Sequence, residues 1–333
     1  MKTAVILFNL GGPDGLEAVE PFLFNLFSDP AIIGAPQPIR WLIAKLISKR
    51  RAPIAREIYA RIGGRSPLLP ETVAQARALE RVLGEDWRCF IAMRYWHPFT
   101  EEAVEAVKVW GADQVVLLPL YPQFSGTTSG SSLKEWRRAA RRAGLDLPTR
   151  TVCCYPEQPG LVSAMAALVR DGHAAASRIG RPRVLFSAHG LPRKVIERGD
   201  PYQKQIERTA AVVAGATGIS MLDWVVCYQS RVGPLEWIGP STEDELERAG
   251  RDGVPVVVVP VAFVSEHSET LVELDIEYRH RAEALGVPGY VRVPALGCHP
   301  DFIAGLAEMA RKAGDDTGKA CRAAGCRCPS EAA

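Results

Sequence analysis

The sequence has no apolar run approaching the ~18 residues of a membrane-spanning helix, which excludes a polytopic membrane protein. It has no surplus of charge either. Its 40 Lys and Arg stand against 38 Asp and Glu, a net charge of +2, so no overall field draws it to nucleic acid. With 47% hydrophobic and 23% charged residues it is neither disordered nor fibrous. A secretory signal is missing too. The apolar part of MKTAVILFNLGGPDG is short, lacks a small-residue cleavage site and enters a Gly-Gly turn, so it reads as a buried first strand. The expectation is a cytoplasmic protein whose thiols stay reduced. Against these absences stands cysteine. There are eight: Cys89, Cys153, Cys154, Cys227, Cys298, Cys321, Cys326 and Cys328, the last three within the final thirteen residues. Disulfides explain them poorly in a reducing compartment, and metal ligation becomes the leading reading for the cluster.

A chain of 333 residues holds about two domains. Short apolar runs at 3–9, 88–94, 114–120, 149–155, 182–188, 223–229, 254–264 and, more weakly, 289–293 predict strands. Several are apolar on both faces, as central parallel strands covered by helices are. Amphipathic segments at 71–84, 100–110, 132–144, 159–178, 201–216, 242–250, 266–285 and 300–312 predict helices between them. The alternation argues for an α/β fold of doubly wound parallel sheets, in two similar halves without a residue-level repeat. The expected division is 1–158, 159–299, and 300–333 for a last helix and the cysteine tail.

Ligands bind at the carboxyl ends of strands in such sheets, so the polar residues there carry the argument. Gly11-Gly12 after the first strand is either a tight turn or a place where backbone meets ligand. Arg94-Tyr95-Trp96-His97 after the second suits a flat anionic ligand, or is a packed aromatic rim with an ion pair. The hydroxyl-rich stretch 125–132 reads as an anion site before a helix or as an ordinary capped loop. His189, in Ser187-Ala188-His189-Gly190-Leu191-Pro192, sits among small residues with room in front of it. A neutral imidazole there can take a proton or a metal. In 265–280, Glu269, Glu273 and Glu277 recur at every fourth position with His280 beyond. Like charges at i,i+4 destabilise an exposed α-helix by a few tenths of a kcal/mol each. The row therefore either pairs with basic residues or solvent, or forms a path for cations or protons.

Six motifs, FNLGGP, MRYWHPFTEEA, YPQFSGTTSGSS, SAHGLP, QSRVGPLEWIGP and VSEHSETLVELDIEY, resemble ferrochelatase in order and across residues 3–310. The resemblance implies two Rossmann-like, chelatase-type halves with a porphyrin cleft between them. It implies a lyase that inserts ferrous iron into protoporphyrin IX in haem biosynthesis. Coproporphyrin III is the alternative substrate, and an iron–sulfur or haem-binding redox or sensor protein is the rival from another class. By resemblance, His189 is catalytic and an iron ligand, with Glu269 its counterpart. His267, Glu273 and Glu277 match an acidic proton or metal path. Leu10, Arg50, Arg51, Tyr59, Ser66, Arg94, Tyr95 and Trp237 match the porphyrin pocket, with Leu10 where members often carry Met.

Residues 21–52 mix large apolar side chains with Arg40, Lys45, Lys49, Arg50 and Arg51, the composition of an interfacial segment. The resemblance makes this a lip that touches the inner face of the cell membrane peripherally; a helix packed on its own domain is the alternative. Some members carry a [2Fe–2S] cluster on three C-terminal cysteines and an internal one. Here these are Cys321, Cys326 and Cys328 with Cys153 or Cys154. Alternation along a strand suggests that only one of that pair faces the tail. Members occur as monomers and as homodimers, and the implied partners are porphyrin and ferrous iron, with no nucleic acid.

Overall fold

The computed structural model describes residues 1–231 and 235–315. Cys321, Cys326 and Cys328 lie outside them. The described chain divides into two compact units, one of residues 1–154 that takes in the chain from Ala307 onward, the other Tyr155–Leu306.

The first unit runs β1 (Thr3–Asn9), α1 (Val19–Ser28), α2 (Gln37–Ala60), α3 (Leu68–Leu83), β2 (Trp87–Met93), α4 (Thr100–Trp110), β3 (Gln114–Pro119), a π-helix (Gly126–Gly130), α5 (Ser131–Arg142) and β4 (Thr149–Thr151). Its four strands are parallel in the order β2-β1-β3-β4. Every residue of β1 and β3 is buried, as strands covered on both faces must be. Ile6, Phe8, Leu117 and Trp136 share one core cluster, with Phe8 and Trp136 edge-to-face at 6.1 Å.

The second unit runs α6 (Pro159–Ala176), β5 (Arg183–His189), α7 (Arg193–Glu197), α8 (Tyr202–Ala216), β6 (Asp223–Gln229), α9 (Thr242–Asp252), β7 (Val256–Pro260), a π-helix (Glu269–Glu277), α10 (Tyr278–Ala284) and β8 (Tyr290–Arg292). Helix α11 (Pro300–Asp315) begins in this unit and ends in the other. The sheet is again parallel, in the order β6-β5-β7-β8. The two sheets therefore share one winding, which the sequence suggests by element order alone. In both, the order reverses at the first strand of the half, β1 or β5, and this is where such sheets bind ligands.

Three expectations are corrected. The strand at 149–155 is only three residues long. The amide of Val152 still donates to Leu117 O at 2.9 Å, but Pro119 has no N–H to continue the ladder. Cys153 and Cys154 thus leave the sheet. Both are buried against Phe124, and their sulfurs are 3.7 Å apart, so they do not alternate. The strand at 254–264 is the five residues Val256–Pro260, closed by a proline that again lacks a donor. The helix at 266–285 is not α throughout: it runs as a π-helix over Glu269–Glu277 before α10, whereas the expected helix at 132–144 is α5, with a π-helical turn ahead of it.

Segment 21–52 becomes α1 and most of α2. In α2, Ala44, Ser48, Ala52 and Tyr59 form the buried face. Ile39, Leu42 and Leu46 are each more than half exposed on another face, at the i, i+3, i+7 spacing of one helical stripe. Lys45 lies 4.9 Å above the Trp41 ring. Among the described residues no helix is long and apolar enough to cross a membrane.

Candidate active site

His189 is the last residue of β5, paired in register with Gln229 at the end of β6. Gly190 makes this close approach possible. A Cβ there would meet Gln229 O at 3.0 Å and the Trp237 ring at 3.3 Å. The loop after His189 is bound to the Trp237 segment by Arg193 N to Glu236 O at 2.8 Å and Ile238 N to Leu191 O at 3.1 Å. The Tyr202 hydroxyl donates to the His189 carbonyl at 3.1 Å. The backbone of the histidine is thereby fixed on three sides.

Its ring meets Glu269, the first residue of the π-helix. His189 Nδ1 lies 2.8 Å from Glu269 Oε2. Ser230 joins this pair to Glu273. Its hydroxyl donates to Glu273 Oε2 at 2.5 Å and reaches Glu269 Oε2 at 3.2 Å, and its amide donates to Glu273 Oε1 at 2.7 Å. Gln229 Nε2 and the Tyr278 hydroxyl complete the shell of Glu273, at 3.3 and 3.1 Å. Ser230 achieves this with φ of 61°, a left-handed backbone that costs a non-glycine residue roughly 1–2 kcal/mol. His267 lies behind the pair. Its side chain is only 8% exposed and its Nδ1 is 3.9 Å from Glu269 Oε1, while its buried Nε2 has no hydrogen-bond partner among the described residues.

These contacts separate the acidities of the four groups. Burial alone would raise the Glu269 carboxyl, but His189, His267 and Ser230 more than offset it and hold the group at about 2. Burial disfavours a charged His189, yet the neighbouring Glu269 carboxylate outweighs it and raises the imidazole pKa. Burial and the charge of Glu269 raise Glu273, against its Ser230 bonds. Burial lowers His267. Pairs of titratable groups pushed apart in this way are the mark of an acid–base site. Glu277 ends the π-helix and is solvent-exposed, so the carboxylate row of Glu269, Glu273 and Glu277 runs from interior to surface. No group of three or more His, Cys, Asp or Glu among the described residues stands ready as a metal cage. His189 and Glu269 direct an atom each at the other, and a metal bound there must part them.

Of the sequence-predicted residues of the first unit, Leu10, Tyr59, Ser66, Arg94 and Tyr95 lie around the ends of β1 and β2, and Arg50 and Arg51 do not. Gly11 takes φ of 85° with the Trp96 amide 3.0 Å from where its Cβ would lie, which explains the glycine. At Gly12 a Cβ would fall 2.4 Å from Ser66 Oγ and 3.9 Å from the Tyr59 hydroxyl, so the turn makes room for Ser66. Leu10 and Trp96 pack against the buried cluster that holds Tyr59 and Tyr95. Ser66 and Tyr59 are themselves buried, and Arg50 and Arg51 are exposed on α2.

Arg94 and Tyr95 turn inward to Asp29, just past α1. Arg94 Nη2 is 2.8 Å from Asp29 Oδ2, the Tyr95 hydroxyl donates to the same oxygen at 2.9 Å, and Ser131 Oγ donates to it as well. Arg94 Nε donates to Ser131 Oγ at 2.7 Å. A cavity of about 260 Å³ lies beside this pair, walled in part by Asn25, Ser28, Thr100 and Arg138.

Sequence reading missed Asp29 as the anchor of Arg94, and missed Ser230, Tyr202 and Tyr278 as the holders of the carboxylates and the histidine. The only signal for Asp29 was its place before Pro30 at a helix end. Ser230 was visible only as a member of the motif QSRVGPLEWIGP.

The ferrochelatase family profile matches residues 2–314. The chain is 56% identical to a ferrochelatase of Caulobacter vibrioides over 99% of its own length and 96% of that protein. It is 54% identical to a ferrochelatase of Phenylobacterium zucineum, over 98% of each. Among solved structures it resembles the sirohydrochlorin chelatase SirB from Bacillus subtilis subspecies spizizenii in complex with cobalt. That match has a TM-score of 0.55 at 15% identity and covers 94% of this chain and 95% of the other, a likeness of fold alone. Matched by the family profile along nearly its whole length and by relatives above half identity, the chain belongs to the ferrochelatase family.

Proposed function

We infer that this chain inserts ferrous iron into a porphyrin, the lyase step that makes haem, as the ferrochelatases it matches are named for doing. The observation that carries the chemistry is the His189–Glu269 contact of 2.8 Å, with Glu273 joined to it through Ser230. Insertion exchanges Fe²⁺ for two pyrrole N–H protons, so the site must accept two protons and release them. His189, once turned from Glu269 and relieved of the proton that the pair holds, is the first acceptor, since an imidazole titrates near working pH. Glu273, whose pKa is raised, takes the proton on, and the exposed Glu277 passes it to solvent. Glu269 stays ionised and, once His189 turns from it, is a hard oxygen ligand for the entering iron. His267 supports Glu269 from behind. Leu10, Tyr59, Ser66, Arg94 and Tyr95 are the porphyrin-binding residues of the first unit, with Arg50 and Arg51 as cations for the propionates, and Trp237 is that of the second. Binding energy from those residues supplies the ring distortion that exposes the pyrrole lone pairs.

Protoporphyrin IX is the reading for the substrate, because the apolar lip and cysteine tail suit that branch better than coproporphyrin III. The test is anaerobic Fe²⁺ insertion measured with both porphyrins side by side. Faster turnover of coproporphyrin reverses the substrate assignment, and no turnover of either removes the function.

The exposed stripe Ile39, Leu42 and Leu46, with basic residues Lys49, Arg50 and Arg51 further along the same helix, supports peripheral membrane contact through α2. Co-flotation with anionic liposomes at low salt measures it, and absence of binding there ends the lip reading.

Cys321, Cys326 and Cys328 with Cys153 or Cys154 would hold a [2Fe–2S] cluster, which needs four thiolates. Two buried sulfurs on one side of the chain, in the unit where α11 ends, fit an internal donor. When bound, such a cluster supplies one-electron redox chemistry, and iron insertion does not draw on it. Visible absorbance of anaerobically purified protein reads its presence, and a colourless, iron-free preparation excludes it.

A further inference from the structure

The segment that carries Glu269 and Glu273 is a π-helix of nine residues, an uncommon register that needs outside support over such a length. Its i→i+5 pattern reaches Tyr278, whose amide bonds to Glu273 O. There the helix tightens into α10. Side-chain hydrogen bonds cluster around this change of register. The Tyr290 hydroxyl donates to Leu274 O at 2.6 Å. Arg279 Nε donates to Asp275 O at 3.1 Å and its Nη1 to Tyr290 O at 3.0 Å.

Two residues further along β8, Arg292 is 8% exposed and grips the segment at two points. Its Nη1 lies 2.7 Å from Glu266 Oε1. Its Nε donates to Asp275 Oδ1 at 3.0 Å, and its Nη2 to Asp275 Oδ2. Glu266 in turn accepts from Ala295 N at 3.0 Å and Thr270 Oγ1 at 2.5 Å, and Thr270 Oγ1 accepts the His267 amide at 2.9 Å. One buried guanidinium thus joins residue 266 to residue 275, on either side of both working carboxylates. β8 is itself fixed to the central sheet by its pairing with β7.

We propose that Tyr290 and Arg292 are positioning residues: they hold 269–277 in its π register and so set Glu269 and Glu273 against His189 and Ser230. Neither side chain touches the reacting groups. The role deepens the iron-insertion reading and rests on it only for its kinetic consequence.

The test uses the full chain with Tyr290→Phe, Arg292→Lys and Arg292→Gln, read by amide hydrogen exchange and by Fe²⁺ insertion kinetics. In Tyr290→Phe, exchange across 273–278 rises about tenfold while Leu185 and Val258 in the sheet keep wild-type protection. In the same variant kcat falls about tenfold with KM for porphyrin unchanged. Arg292→Lys keeps one of the contacts and recovers part of the kcat lost in Arg292→Gln. Wild-type exchange over 273–278 in Tyr290→Phe overturns the proposal. Arg292→Gln takes the cation from two part-buried carboxylates, and if it does not fold, Glu266→Gln combined with Asp275→Asn and Arg292→Gln replaces it, with the three charges removed together. A folded triple variant with wild-type exchange and kcat also overturns the proposal. An unaltered chain without insertion activity defeats the iron reading instead, and the exchange arm still decides the positioning role.

Discussion

His189 and Glu269, eighty residues apart in the chain, meet at 2.8 Å between the end of β5 and the first residue of the π-helix. One partner has its pKa raised and the other is held at about 2, so over a wide pH range they form an ion pair.

That pair gives stability a defined pH window. Glu269 has a folded pKa below its ordinary value of about 4.3, so its contribution is present above that value and is lost as pH falls toward about 2. His189 has a raised folded pKa, so its contribution is full below its ordinary value of about 6.5 and is lost as pH rises through the folded value. The difference in unfolding free energy between the wild type and Glu269→Gln is therefore greatest from about pH 4 to 6 and shrinks on both sides. Urea titrations at stepped pH measure it, and a difference that is flat with pH contradicts the pairing.

On the proposed mechanism, His189→Ala removes the proton acceptor and spares the residues proposed to bind porphyrin. Iron insertion falls by roughly 10²–10⁴-fold, with porphyrin binding retained by fluorescence quenching. Turnover within tenfold of the wild type would remove His189 from the mechanism.

Ser230 separates two effects. Ser230→Ala and Ser230→Gly both lose the hydroxyl bridge between Glu269 and Glu273, so both slow insertion. Only glycine relieves the backbone at φ of 61°, so the glycine variant is the more stable by about 1 kcal/mol. Thermal unfolding compares them, and equal melting temperatures would place the cost elsewhere.

Asp29 is 4% exposed and is shared by Arg94, Tyr95 and Ser131. Asp29→Ala leaves the Arg94 guanidinium without its counter-ion and costs about 3–5 kcal/mol. Asp29→Asn keeps a hydrogen-bonding oxygen and costs less. Chemical denaturation reads both, and a loss below about 1 kcal/mol in Asp29→Ala shows that solvent replaces the carboxylate.

The strands were legible because their apolar residues had to be buried on both faces, a demand written locally in runs such as Val256–Val259. His189 was legible because it stands at a strand end between small residues. The π register was not. A row of glutamates at every fourth position reads as an α-helical face. What changes it lies in Tyr290 and Arg292, on a strand of three residues with no periodicity of its own. Ser230 was hidden for a similar reason: its left-handed backbone is sustained by carboxylates some forty residues away. The inward turn of Arg94 depends on Asp29, sixty-six residues before the Tyr95 it also binds. Local pattern carries the scaffold, and long-range polar pairing carries the site.

The shared winding of the two sheets makes Asn9 the counterpart of His189. Each ends a seven-residue strand, β1 or β5, that stands second in its sheet's order. Asn9 is buried, and its amide is spent on Thr72 Oγ1 at 3.1 Å and on the Leu10 amide at 2.9 Å. A carboxamide neither gains nor loses a proton in the working range of the enzyme. The same seat is thus built twice, once with an ionisable ring and once with a group blind to pH. A change of pH therefore alters the charge at this seat in the second unit and leaves it unaltered in the first.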